Sequence, residues 1–148
     1  MQDIKSQTQS TKGLWKHFLL KYPEANLLHK KMLRVSKKVN LAKEGKSRFK
    51  VIKEMISQAQ NYLLKGQCND AYWNNMLSGL YLPQERYNTY ANLIKAENLI
   101  DSASRQGSKW LQVTEIDYDC DGHDEIIVET ETQKYLYFSC AWRHCSGA

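Results

Sequence analysis

The sequence predicts an α+β fold: a helical bundle of about four helices followed by the opening strands of a β-domain. Three observations predict it. Apolar residues recur at three- and four-residue spacing as far as residue 104, the period of amphipathic helices. Beyond residue 109 the pattern becomes an alternation of apolar and polar residues, the period of a strand. A serine- and glycine-containing stretch, 102–108, separates the two. The expected organisation is therefore a helical unit over 1–104, a β unit over 105–138, and a tail over 139–148 that fits neither.

Leu14, Trp15, Phe18, Leu19 and Tyr22 mark a first helix. Pro23 breaks or restarts it, because proline lacks the amide proton but is tolerated in a first helical turn. Leu28, Met32, Val35 and Val39 form the stripe of the next helix, and Phe49, Ile52, Ile56, Ala59 and Leu63 that of a third. Both suit helix–helix packing, with Gly66 as the expected C-terminal cap. Cys68 to Leu82, CNDAYWNNMLSGLYL, is aromatic and polar at once, and its period is ambiguous. Gln84 to Ser104 reads as a further helix with two adjacent stripes, Tyr87, Tyr90, Ile94 and Leu93, Ala96, Ile100. Trp110 to Ile116 reads as a half-buried strand, and Glu125 to Thr130 and Tyr135 to Phe138 as two more. Three strands are few for an independent sheet.

Composition excludes several classes. The 148 residues contain no apolar run near the length of a membrane span. The first ten residues, MQDIKSQTQS, lack the apolar core of a secretory signal. The four cysteines, at 68, 120, 140 and 145, contain no CxxC, so reduced thiols and a cytoplasmic location are expected. Charge is unevenly spread: residues 1–66 carry 15 Lys+Arg and 4 Asp+Glu, residues 67–148 carry 6 and 12. A basic half suits an anionic partner such as nucleic acid. Lysines spaced around helices weigh against that reading and for solvated faces. Opposite charge also helps the two halves dock.

Two local patterns carry chemistry. Asp117, Asp119 and Asp121 followed by Gly122 match the first half of a calcium loop, with Asp124 and Glu125 close behind. The twelfth position is Val128 rather than glutamate, so this is no complete EF-hand; the alternative is a hairpin turn stabilised by its own Asp and Gly. In Asn69, Asp70, Tyr72 and Trp73, aromatic rings stand beside amide and carboxylate groups. Rings stack on the apolar faces of sugars and the polar groups hydrogen-bond hydroxyls; the alternative is a core aromatic pair. A glycosidase acid pair needs two carboxylates about 5–9 Å apart, and nothing local singles one out among Asp70, Glu85 and Glu97. His17, His29, His123 and His144 have no ligand spacing.

Three stretches together resemble one family: FLLKYPEANLLHKKMLRVSKKV over 18–39, CNDAYWNNMLSGLYLPQER over 68–86, and Trp110 to Glu129 with its acidic turn. They resemble the α-amylase/4-α-glucanotransferase branch of glycoside hydrolase family 57. The resemblance implies a place in a larger architecture. There a (β/α)7 barrel carries a nucleophilic Glu and an acid/base Asp, a helical domain completes the cleft, and a β-sandwich follows. This chain resembles the helical domain followed by the first strands of a truncated β-sandwich, so it is expected to be a fragment without the catalytic carboxylates and inactive alone. The intact enzyme would hydrolyse or transfer α-1,4-glucan chains, and a separately encoded barrel is a candidate partner. The resemblance implies substrate contact at Asn69, Asp70, Tyr72 and Trp73. Asn74 and Asn75 stand where the family motif carries His and Gly, which removes an imidazole from the cleft. No catalytic residue is assigned and no cofactor is expected other than calcium at Asp117, Asp119, Asp121, Asp124 and Glu125.

The tail SCAWRHCSGA departs from the family, which continues Pro-Ala-x-Gly-Gly. One permitted codon choice for the tail, read one base later, gives Pro-Ala-His-Gly-Gly, so a frameshift near Phe138 is expected. Sequencing the locus tests it.

Overall fold

The computed structural model describes residues 14–45, 48–72, 82–105 and 108–138. The chain is α+β, as expected. A helix α1 over 14–21 is followed by α2 (Pro23–Glu44), α3 (Lys50–Gly66), a 3-10 turn (Asn69–Ala71) and α4 (Pro83–Arg105). Three strands then form one antiparallel sheet in the order β1 (Leu111–Ile116), β2 (Glu125–Thr130) and β3 (Lys134–Tyr137). The expected tail 139–148 and the second half of the ambiguous stretch, from Trp73 to Tyr81, lie outside the described residues.

The helices pack as their stripes dictate. Pro23 opens α2, with Glu24 in the first turn and Lys43 in the last, the signs that complement the helix dipole. Leu28, Val35 and Val39 of α2 meet Ala59 and Leu63 of α3 and Leu93, Ala96 and Ile100 of α4 in one buried cluster. Phe49, expected on the α3 stripe, is instead the residue that precedes the helix and is 67% exposed. Of the two α4 stripes only the second is buried; Tyr87 and Ile94 face outward. Gly66 also differs from expectation. It is the last residue of α3, Gln67 caps it, and a Cβ on Gly66 would stand 2.6 Å from Leu93 Cδ2. The glycine is there because α3 and α4 approach too closely for a side chain.

The sheet inverts the usual distribution of polarity. Glu125, Ile127 and Glu129 of β2 point inward and are buried. Paired residues in adjacent strands share a face, so the opposite face carries Leu111 and Val113 of β1, Ile126 of β2, and Tyr135 and Tyr137 of β3. All five are exposed. The expected half-burial of β1 is therefore not found: Leu111 and Val113 lie on the outer face, and Ile116, which shares the inner face with Glu125, is itself 44% exposed.

Candidate functional site

Residues 69–72 make one tight turn between α3 and α4. The Tyr72 N–H donates to the Asn69 carbonyl at 3.1 Å, and the Tyr72 hydroxyl donates to the Gly66 carbonyl at 2.5 Å. Burial, with Tyr90 adding to it, raises the Tyr72 pKa, so the phenol remains a neutral donor. Its ring belongs to the buried cluster, which matches the core alternative for this residue. Asn69 is exposed on the turn and Asp70 follows it in the 3-10 segment. Trp73, Asn74 and Asn75 lie outside the described residues.

The acidic turn joins β1 to β2. Cys120 and Gly122 adopt positive φ, 63° and 95°. Asp117 closes the turn: one carboxylate oxygen accepts from the Asp121 N–H at 3.0 Å and the other from the Gly122 N–H at 3.1 Å. Asp119 accepts from Asp121 N–H and Asp121 from His123 N–H. Glu125 is buried and accepts from the Tyr118 N–H at 2.7 Å. Burial, reinforced by the charges of Asp119 and Asp121, raises the Glu125 pKa against the lowering effect of that hydrogen bond. Of the five expected ligands, Asp117, Asp119 and Glu125 bring one oxygen each within 4.8 Å of one another; Asp121 and Asp124 are not in that group. Val128, at the twelfth position, is inside β2 opposite Val113 and Tyr135, so the strand itself withholds the bidentate ligand. The turn is anchored to α2, where Asn26 Nδ2 donates to the Asp119 carbonyl at 2.8 Å and Lys30 Nζ to Cys120 Sγ at 2.8 Å.

Between the sheet and the helices lies a charge network that residue patterns had not singled out. Lys31, Arg34 and Lys38 of α2 and Lys134 of β3 meet Glu97 and Asp101 of α4 and Glu129 of β2. Glu97 is fully buried and contacts Lys31, Lys38 at 2.7 Å and Lys134 at 3.1 Å. Glu129 pairs with Arg34 at 2.7 Å and Lys38 at 3.0 Å. Burial alone would push the Glu97 pKa up, but the three ammonium groups outweigh it and hold the carboxyl well below its usual range. Burial lowers the Lys31 pKa, offset in part by Glu97. Burial opposes the charge on Lys38 as well, yet Glu97, Asp101 and Glu129 together raise its pKa.

This arrangement cannot serve as an acid/base pair. A glycosidase acid needs a raised pKa and access to substrate; Glu97 has neither. The network also absorbs three of the six cations of α2 (Lys30, Lys31, Arg34, Lys37, Lys38 and Lys43). Half of the basic face is thus an internal joint between the basic and acidic parts of the chain. One signal in the sequence marks it: Glu97 stands on the apolar stripe, four residues after Leu93 and three before Ile100.

Comparison with known proteins places this fold. Residues 13–100 match the family described as Alpha-amylase/4-alpha-glucanotransferase, middle domain. The chain is 42% identical over 118 residues to Alpha-amylase 1 of Dictyoglomus thermophilum and 39% identical over 119 residues to the 4-alpha-glucanotransferase of Thermococcus litoralis. Each alignment covers 80% of this chain and 15% of the relative. The crystal structure of the Thermococcus litoralis 4-alpha-glucanotransferase superposes with a TM-score of 0.57 at 38% identity, covering 79% of this chain and 15% of that one. The class is therefore a helical middle domain. More particularly, the chain belongs to the α-amylase/4-α-glucanotransferase middle-domain family, and it spans about 15% of the length of the relatives it matches.

Proposed function

We propose that these 148 residues serve an enzyme that hydrolyses or transfers α-1,4-glucan chains, as one wall of its cleft and not as its catalytic centre. The observation that carries the reading is the 42% identity to an α-amylase along 80% of the chain. In this reading the retaining chemistry, a nucleophilic carboxylate and an acid/base carboxylate acting by double displacement, belongs to a barrel outside these 148 residues. The helical unit (1–104) presents the substrate segment and the β unit (105–138) begins a sandwich.

Asn69, Asp70, Tyr72 and Trp73 are the proposed glucan contacts. Their roles differ. The buried Tyr72 ring and its hydroxyl bond to Gly66 favour an anchoring role, which fixes the turn from which Asn69 is exposed. Trp73 is the proposed stacking ring. With only one wall, a sugar is poorly enclosed and affinity is expected to be weak. The acidic turn is proposed to take calcium, if any cation, through Asp117, Asp119 and Glu125. No helix among the described residues is long and apolar enough to cross a membrane, and the cytoplasm is the proposed compartment.

Titration with maltoheptaose, followed by tryptophan fluorescence, tests the reading. A saturable change that Trp73→Ala removes is expected. Release of reducing sugar from starch by these 148 residues alone would overturn the assignment of catalysis to a barrel outside them.

A further inference from the structure

We propose that Lys30 and Cys120 form a redox-gated covalent lock, a sulfenamide (S–N) bond made after hydrogen peroxide oxidises the thiol. This inference is independent of the glucan reading. It needs only two side chains that already touch. Lys30 Nζ of α2 stands 2.8 Å from Cys120 Sγ in the β1–β2 turn, at a sequence separation of 90.

The contact is selective. Asp117, Asp119 and Asp121 share the turn with Cys120, yet Lys30 has no carboxylate in ion-pair range among the described residues. Those carboxylates are spent on the turn's own backbone: Asp117 accepts from the Asp121 and Gly122 N–H groups, Asp119 from that of Asp121, and Asp121 from that of His123. The Lys30 nitrogen is left to the sulfur. The approach does not rest on one long side chain either. Asn26, one helical turn before Lys30, donates to the Asp119 carbonyl at 2.8 Å, so α2 grips the turn at the residue before the thiol. Cys120 is exposed and open to a small oxidant.

The steps balance. The Cys120 sulfur attacks one peroxide oxygen and the O–O bond breaks. The products are the sulfenic acid Cys120–SOH and one water, which carries away the thiol proton. Sulfur loses two electrons and the peroxide gains them. The Lys30 amine, its extra proton released to solvent, then attacks that sulfur. The S–N bond forms, the S–O bond breaks, and the oxygen leaves as a second water with a proton from the nitrogen. A dithiol reductant returns the two electrons and restores the thiol and the amine. While closed, the bond ties α2 to the β1–β2 turn, as a disulfide between the same positions would.

Mild hydrogen peroxide on the 148-residue chain, followed by proteolysis and mass spectrometry, tests this. Peptides carrying Lys30 and Cys120 should appear joined, lighter by two hydrogens than their sum, and dithiothreitol should separate them. Lys30→Arg keeps the charge but removes the amine. Checked for folding by circular dichroism, it should lower the joined product at least about tenfold and leave Cys120 as a sulfenic acid that dimedone traps. Absence of the joined peptides overturns the proposal, as does their survival in Lys30→Arg. So does a dimedone yield as high in the unaltered chain as in the variant, since an amine in contact with the sulfur competes with the trap.

Discussion

Lys134 Nζ lies 3.1 Å from Glu97 Oε2, so the third strand of the sheet is held by a carboxylate in the middle of the last helix. Lys31 and Lys38 converge on the same buried group from α2. Removing one member of a buried charge set leaves the others unpaired, at a cost of about 3–5 kcal/mol. Glu97→Gln keeps the shape but takes from Lys31 its carboxylate partner among the described residues, and leaves Lys38 and Lys134 only Asp101 and Glu129. It should lower the unfolding free energy by about 3 kcal/mol, measured by urea denaturation. A loss below about 1 kcal/mol would show that water or neighbouring acids replace Glu97. Glu97→Leu together with Lys31→Met should cost less than Glu97→Gln, because a matched apolar replacement leaves fewer unpaired charges.

The same group sets the acid limb of stability. The folded-state pKa of Glu97 is held below the ordinary 4.5. Its contribution is therefore present above that ordinary value and is lost as pH falls through the folded one. Stability should decline from about pH 5 downward, with a slope that Glu97→Gln flattens. Lys38 acts at the other end: its raised pKa supplies stability below the ordinary 10.5 that is lost as pH rises through the folded value. Thermal melts from pH 3 to 11 on the two proteins check both limbs. An acid slope unchanged in the variant would mean other carboxylates dominate.

Gly66 offers a sign test. Alanine normally improves a helix by about 1 kcal/mol over glycine. Here the new methyl would sit 2.6 Å from Leu93 Cδ2 and 2.9 Å from Leu93 Cγ. Gly66→Ala should therefore destabilise, by about 1–3 kcal/mol as overpacking does. Leu93→Ala makes room, so the double variant should lose less than the sum of the two singles. Additive losses would argue that the clash is relieved elsewhere.

Much of this was legible in the residues because helices advertise their buried face. The stripes Leu28, Val35, Val39 and Leu93, Ala96, Ile100 became the core. The segregation of charge became the joint between α2, α4 and the sheet. What was not legible depends on tertiary contact. Phe49 and Tyr87 continue a helical period yet face solvent, because periodicity gives a side chain's direction and not what stands opposite. β1 and β2 were read as strands, but which face is covered depends on where α2 lies. With its lysines over that face, Glu125 and Glu129 are buried while Leu111 and Val113 are exposed. In the candidate site, the tight turn around Asn69 and Tyr72 could not be separated from a helix by period alone, since a Tyr at that spacing suits either core or cleft.

The acidic turn makes the last prediction, because two accounts of it diverge. As a self-closed turn it owes its shape to Asp117, which accepts from both Asp121 and Gly122. Asp117→Ala should then cost about 1–2 kcal/mol, the price of two charge-assisted bonds partly replaced by water, and it should do so equally in EDTA. A cation held by Asp117, Asp119 and Glu125 alone, with Val128 where a bidentate glutamate would be, falls in the weak range of about 10⁻⁴–10⁻³ M. Ten millimolar calcium would then add about 1.5–3 kcal/mol by mass action. The hairpin should keep its amide protection in EDTA, since its backbone donors are already satisfied. Calcium should raise the melting temperature by a few degrees, and Asp117→Ala should abolish that increment. Collapse of the hairpin in EDTA would mean the metal, rather than the turn's own hydrogen bonds, organises these carboxylates. A calcium increment that survives in Asp117→Ala would place the cation elsewhere.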